Sequence, residues 1–287
     1  MKNLSLFIKF KARNFRYKLG ARPIKSSYPY LSGDTYRLAC DVDASSNEGL
    51  SEISMSNKSI FTTVERLQSL TDHLNTNKLT LSETDLVIHN SDEVPNVATL
   101  DYLSTQFKRI YCVNWLGNHP KIEPIPIGLE NIKYLRNGIP SDFNRMRMKN
   151  RIEFRDRPIN LLVAFSLHTN PIERSSALSA ARRVPGVKII QNFMYPYEYL
   201  ELVSQSRFVL SPPGNGPDCH RTWESIYLGA VPIVHKSAWP FRDLNLPVAQ
   251  VSEWNEILDV VNAGQVFDLR SPKQLHDQFS PMFGKSN

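Results

Sequence analysis

The chain has 287 residues, 41% hydrophobic and 22% charged, a composition that excludes disordered and fibrous classes. Its formal charge of +6 is concentrated at one end: residues 1–33 hold eight of the 34 Lys and Arg and no acid, leaving the rest at a net −2. Nucleic-acid binding by the body is therefore not expected, and three widely spaced cysteines, Cys40, Cys112 and Cys219, argue against a disulfide framework or a zinc site.

No stretch approaches 18 consecutive apolar residues, so no spanning segment is expected. The apolar run at residues 4–8 is too short for a secretory signal, and Lys9 and Lys11 follow it. A cytoplasmic setting is the expectation. Residues 1–27 read as a basic amphipathic arm. Drawn as a helix, it places Leu4, Phe7, Ile8, Phe15 and Leu19 along one side, but Leu6, Phe10 and Tyr17 on the other. Residues 1–25 could lie on the anionic inner face of a membrane, or the segment could be a terminal helix packed on the body.

Residues 28–155 read as a first α/β domain, with strands at 85–89 and 109–113 and a helix at 100–107 between them. Residues 122–127 carry Pro124 and Pro126 and read as an edge strand or extended loop. The charge-dense, aperiodic residues 145–158 place a domain boundary near 155. Residues 156–270 then alternate regularly: strands at 159–165, 187–191, 207–210, 231–234 and 248–251, with helices at 171–183, 197–204, 220–228 and 253–262. Such alternation means βαβ units and a parallel sheet. Residues 271–287 read as a tail. The expected fold class is α/β, two halves facing each other across a cleft.

The most informative stretch is residues 208–235, FVLSPPGNGPDCHRTWESIYLGAVPIVH: a buried strand, a loop with two glycines and three prolines, a helix and a second strand. In a parallel sheet that loop lies at the carboxyl ends of the strands, where open α/β sheets bind ligands. Gly214, Asn215 and Gly216 would bring backbone N–H groups close to an anion. The helix opening near Asp218 would aim its positive end at the same place, and Arg221 can fork onto phosphate oxygens. Glu224, three residues on, can accept from ribose hydroxyls. The bland alternative is a set of turn glycines beside an Arg221–Glu224 ion pair on a helix surface. A second element, FSLHTNPIER at residues 165–174, offers Thr169, Asn170 and Arg174 to the same phosphates, although Thr169 or Asn170 also reads as a helix cap ahead of Pro171.

The string SPPGNGPDCHRTWESIYLGAVPIV resembles the donor-site signature of exostosin-like glycosyltransferases, particularly their short bacterial and viral relatives. Weaker echoes appear at residues 30–37 (YLSGDTYR), 89–92 (HNSD), 119–121 (HPK) and 124–128 (PIPIG), so the resemblance spans about residues 28–250 in order. It implies a GT-B-like architecture of two Rossmann-like domains, with Arg221 on the donor diphosphate and Glu224 on the ribose. The implied activity is sugar transfer from a nucleotide-sugar to a glycan acceptor, lipid-linked or free, in bacterial capsule or lipopolysaccharide synthesis. The competing expectation is a non-catalytic nucleotide- or glycan-binding module.

An inverting transferase needs a base for the acceptor hydroxyl. Asp92, directly after the strand at 85–89, is the first candidate, followed by Asp34 and then His89. Asp218 and His220, on the donor loop, would touch the transferred sugar or the leaving diphosphate. The Asp41-Val42-Asp43 match to a metal-binding D-x-D motif is too short to carry weight, and Arg221 supplies a cation, so neither a metal nor a further cofactor is expected.

Overall fold

The computed structural model describes residues 25–264 and 267–279, together with positions 7, 8, 10–12, 14 and 15. Its strands form two five-stranded sheets with parallel pairing throughout. The first comprises β1 (Val42–Asp43), β2 (Ser59–Thr62), β3 (Leu81–Ile88), β4 (Phe107–Cys112) and β5 (Ile122–Pro124), in sequential order. When each strand lies beside the last, right-handed crossovers put their helices on one face. Accordingly, Leu70 and Leu74 of helix Leu67–Asn77 and Leu100 and Leu103 of helix Val97–Gln106 pack with Ile60, Leu86, Ile88 and Ile110. The alternate residues Phe61, Val87 and Tyr111 face the other way, into a cluster with Tyr30, Leu31, Ile125 and Leu129.

The second sheet comprises β6 (Ile159–Val163), β7 (Lys188–Ile189), β8 (Ser206–Leu210), β9 (Val231–His235) and β10 (Ala249–Val251), in the order β10-β9-β8-β6-β7. Strand order reverses between β6 and β8, so helices cover both faces. Pro171–Ala181 and Ile257–Asn262 pack on one face, and Pro196–Ser204 and His220–Tyr227 on the other. This is the doubly wound, Rossmann-like arrangement, and its reversal opens a crevice at the carboxyl ends of β6 and β8. The protein is thus α/β, with two parallel sheets.

Several elements differ from the sequence reading. Helix Pro140–Lys149 runs into the charge-dense segment, burying Phe143 and Met146 and resting on helix Pro196–Ser204. Beyond it, Arg157 is buried and donates to the carbonyls of Ser206 (2.9 Å) and Leu228 (3.0 Å), so this charge is part of the packing. Gly229 ends helix His220–Tyr227 at φ +73°, and a Cβ there would meet the Arg157 guanidinium at 2.7 Å. The expected tail contains helix Pro272–Phe279, whose Leu275 and Phe279 are buried; the rest of that tail from residue 280 lies outside the described residues. The strands β1 and β2 are too short to register as periodic segments. The arm's expected helix is described only at the seven positions named, all helical; its remainder, Leu4, Leu6, Tyr17 and Leu19 included, lies outside the described residues.

Candidate functional site

A cleft of about 1180 Å³ lies at the carboxyl edge of the second sheet, closed on its other side by residues of the first half. Its floor is Phe165, just past β6. The Arg174 guanidinium lies 5.6 Å from the Phe165 ring centre and that of Arg221 5.3 Å. Backbone carbonyls hold both in place: Arg174 donates to Ser166 (2.6 Å) and Pro213 (3.0 Å), Arg221 to Ala164 (3.1 Å). Burial, and then the neighbouring Arg221, lower the Arg174 pKa. Arg221 Nη1 is sealed from water and has no acceptor among the described residues. Two cations held this close on the cleft wall make a site that an anion would complete.

The glycine loop does more packing than expected. Gly214, Asn215 and Gly216 all line the cleft, but the Gly214 N–H donates to the Gly216 carbonyl at 3.0 Å. What Gly214 supplies is room: a Cβ there would meet Arg174 Nη2 at 2.6 Å, and one on Gly216 would meet Asn114 Nδ2 at 2.7 Å. Thr169 lines the cleft, whereas Asn170 stands behind it, capping helix Pro171–Ala181 through Glu173 N–H and donating to the Gly214 carbonyl. Among the described residues no side chain caps helix His220–Tyr227, whose first turn carries His220 and Arg221 into the cleft.

Asp218, expected at the donor, has both oxygens taken up in the interior: they accept from the N–H groups of Ile127 (2.9 Å) and Cys219 (2.8 Å) and from the Trp223 indole (2.8 Å). Burial pushes its pKa up to about 7 against the pull of these donors. Glu224 is 3% exposed and accepts from the Tyr199 hydroxyl at 2.8 Å; burial raises it to about 7, while Tyr199 and Arg221 pull it down.

The three candidate bases, Asp92, Asp34 and His89, are not equivalent, and His220, expected at the sugar or the diphosphate, joins them. Asp92 lines the cleft and accepts from Asn215 Nδ2 at 3.1 Å. His220 also lines it, and its Nδ1 is 2.8 Å from the Gly128 carbonyl. A carbonyl only accepts, so Nδ1 carries the proton and Nε2 keeps its lone pair. Burial, with a contribution from Arg221, lowers the His220 pKa; the Gly128 bond and Asp92 oppose this. Asp34, by contrast, is 1% exposed in the first turn of helix Gly33–Ala39 and does not line the cleft. His89 is equally buried: Nε2 faces the Pro126 carbonyl (2.9 Å), Nδ1 accepts from Asn90 N–H (2.6 Å), and burial lowers its pKa to about 4. The structure brings Asp92 and His220 together and leaves Asp34 and His89 in the interior.

The D-x-D pair holds down an edge strand. Asp41 accepts from the N–H groups of Lys58 and Ser59, and Asp43 pairs with Arg37 and accepts from Ser45. Among the described residues no group of three or more His, Cys, Asp and Glu could hold a metal.

Sequence reasoning put Asp92 on the first half's side of the cleft but missed three further residues of that wall. Glu130, Arg136 and Asn137 line the cleft there, with Glu130 adding to the upward shift of Glu224 and Asn137 opposing it. The PIPIG segment, singled out at 124–128, ends two residues before Glu130 and was the available signal. Compared with known proteins, the chain matches no family model and no curated protein.

Proposed function

We propose that the protein is a GT-B-type glycosyltransferase that moves a sugar from a nucleotide-sugar to a glycan acceptor. The observation that carries this reading is the pair Arg174 and Arg221, which line the cleft and are held over Phe165 at the strand-order reversal. A diphosphate is the anion of matching size and charge, and the uncapped helix end adds to the attraction. Behind it, Glu224 is set to accept from the ribose hydroxyls, and the cleft volume suits a nucleotide carrying a sugar. The resemblance of residues 211–234 to exostosin-like donor sites supports the same assignment, and with it a product among bacterial surface polysaccharides.

In this reading the acceptor hydroxyl gives its proton to His220 Nε2 as its oxygen bonds to the anomeric carbon. The bond from that carbon to the diphosphate breaks, its electron pair leaves with the diphosphate, and Arg174 and Arg221 stabilise the charge. Asp92, on the opposite wall, stabilises the imidazolium. The proton then passes to solvent. No metal or added cofactor enters this scheme.

A thermal-shift panel of nucleoside-diphosphate sugars tests the reading. A donor at about 100 times its Kd stabilises the protein by about 2.7 kcal/mol. Arg221→Ala should abolish the shift, and an acceptor assay should show transfer. No response to any nucleotide overturns the reading; binding without transfer identifies a non-catalytic module.

A further inference from the structure

We propose that the N-terminal arm seats the mouth of the cleft against an anionic membrane, one side of its helix gripping the rim and the other entering the lipid interface. Phe10 lines the cleft, and its ring lies 5.8 Å from that of Tyr195. Tyr195 in turn meets Phe193 edge-on at 5.4 Å, and Phe193 is 82% exposed. Phe10 and Asn14, one turn apart, are the partly covered positions, whereas Phe7, Ile8, Lys11, Ala12 and Phe15 are exposed. The exposed set follows the four-residue spacing of a single helical stripe. Its Phe7, Ile8 and Phe15 are 42%, 56% and 63% exposed, and the Lys11 ammonium lies over the Phe7 ring at 5.5 Å. Among the described positions, apolar side chains thus fall on two sides: Phe10 belongs to the cleft rim, and Phe7, Ile8 and Phe15 are exposed.

The charge chooses the occupant. Eight cations and no acid fall in residues 1–33. A second copy would bring like charges together, whereas an anionic bilayer satisfies both features. Lys and Arg near such a surface are drawn to its anionic headgroups, and aromatic and aliphatic side chains enter the interface beside them. With Phe10 at the rim, that surface lies at the cleft mouth. The attachment stands whether or not the donor reading holds; a lipid-borne acceptor is its consequence only if that reading does.

The test is sedimentation of the full chain with phosphatidylcholine vesicles and with vesicles that also contain phosphatidylglycerol. Binding is expected to the anionic vesicles only, weakened at least about tenfold in Phe7→Ser/Ile8→Ser/Phe15→Ser. The nucleotide-induced thermal shift should be unchanged in that variant. Equal binding to neutral vesicles, or a variant that binds as well as wild type, overturns the proposal. Orientation is read from a fluorophore on Phe193→Cys at the rim or on Met55→Cys, which precedes β2 at the opposite end of its sheet, each in a Cys40→Ser/Cys219→Ser background. A lipid-borne quencher should dim the first and not the second; equal dimming, or dimming at position 55 alone, overturns the orientation. A doubled mass without lipid, lost in the triple variant, would assign the stripe to a second copy and overturn the lipid assignment.

Discussion

The contrast between His220 and Asp92 decides how proton transfer should respond to pH. His220 works as an acceptor only when neutral, and burial and Arg221 hold its pKa below 6.5. Turnover at saturating donor should therefore be constant through neutral pH and fall only on the acid side, below that value. Asp92 raises the His220 pKa, so Asp92→Asn should carry the acid limb to still lower pH. His220→Gln should lower turnover by about 10²–10⁴ while keeping the nucleotide-induced thermal shift. Loss of turnover in Asp92→Asn with near-normal turnover in His220→Gln would transfer the base to Asp92. Saturating donor is needed because Glu224, raised to about 7, would make donor affinity itself vary near neutrality if it holds the ribose as proposed. At this scale the sequence showed which residue types could do chemistry but not which were accessible. Asp34 and His89 carry suitable groups, yet both are buried, and Asp218 and Asn170 hold loops together. The tautomer of His220 depends on Gly128, 92 residues away, which no local pattern encodes.

At the scale of elements, the strands and helices of the second half were legible to within a few residues because apolar runs of strand length alternate there with helical periodicity. Helix Pro140–Lys149 was hidden because only Phe143 and Met146 mark its inner face with large apolar side chains amid four charged residues. The strand-order reversal between β6 and β8 was hidden too, because pairing order is a property of the assembled sheet. It is this reversal that sets the glycine loop beside Arg174, and Gly214 makes the approach possible. In Gly214→Ala the new methyl would meet the flexible end of Arg174, at 2.6 Å, and displace that guanidinium from its place over Phe165. Donor affinity should fall by about tenfold or more, the worth of a charge-assisted hydrogen bond, with little change in melting temperature. Titration calorimetry against the donor beside an unfolding curve checks the split. A large loss of stability with unchanged affinity would show that the glycine serves the loop and not the arginine.

For the whole molecule, the expectation of two α/β halves across a cleft says nothing about how firmly they are joined. One apolar cluster runs through both, from Tyr30, Phe61 and Tyr111 to Val209, Trp223 and Tyr227. Polar ties cross beside it. The Tyr227 hydroxyl accepts from Leu31 N–H (3.0 Å), Asp218 accepts from Ile127 N–H, and the Asp218 N–H meets Asn114 Oδ1 at 3.3 Å. His220 donates to Gly128, and Asn215 donates to Asp92. Each tie contributes about 1 kcal/mol, but separating the halves would also leave buried donors unmet and expose the shared aromatic cluster. These residues are scattered through the chain, so no composition shift announced their union. Domains joined by small polar interfaces often unfold in separate steps; a continuous core couples them. Calorimetry should accordingly show a single transition whose calorimetric and van't Hoff enthalpies agree. Two resolved transitions, or a fragment of residues 156–279 that melts cooperatively by itself, would show that the cleft divides independent bodies and would leave its geometry free to vary on ligand binding.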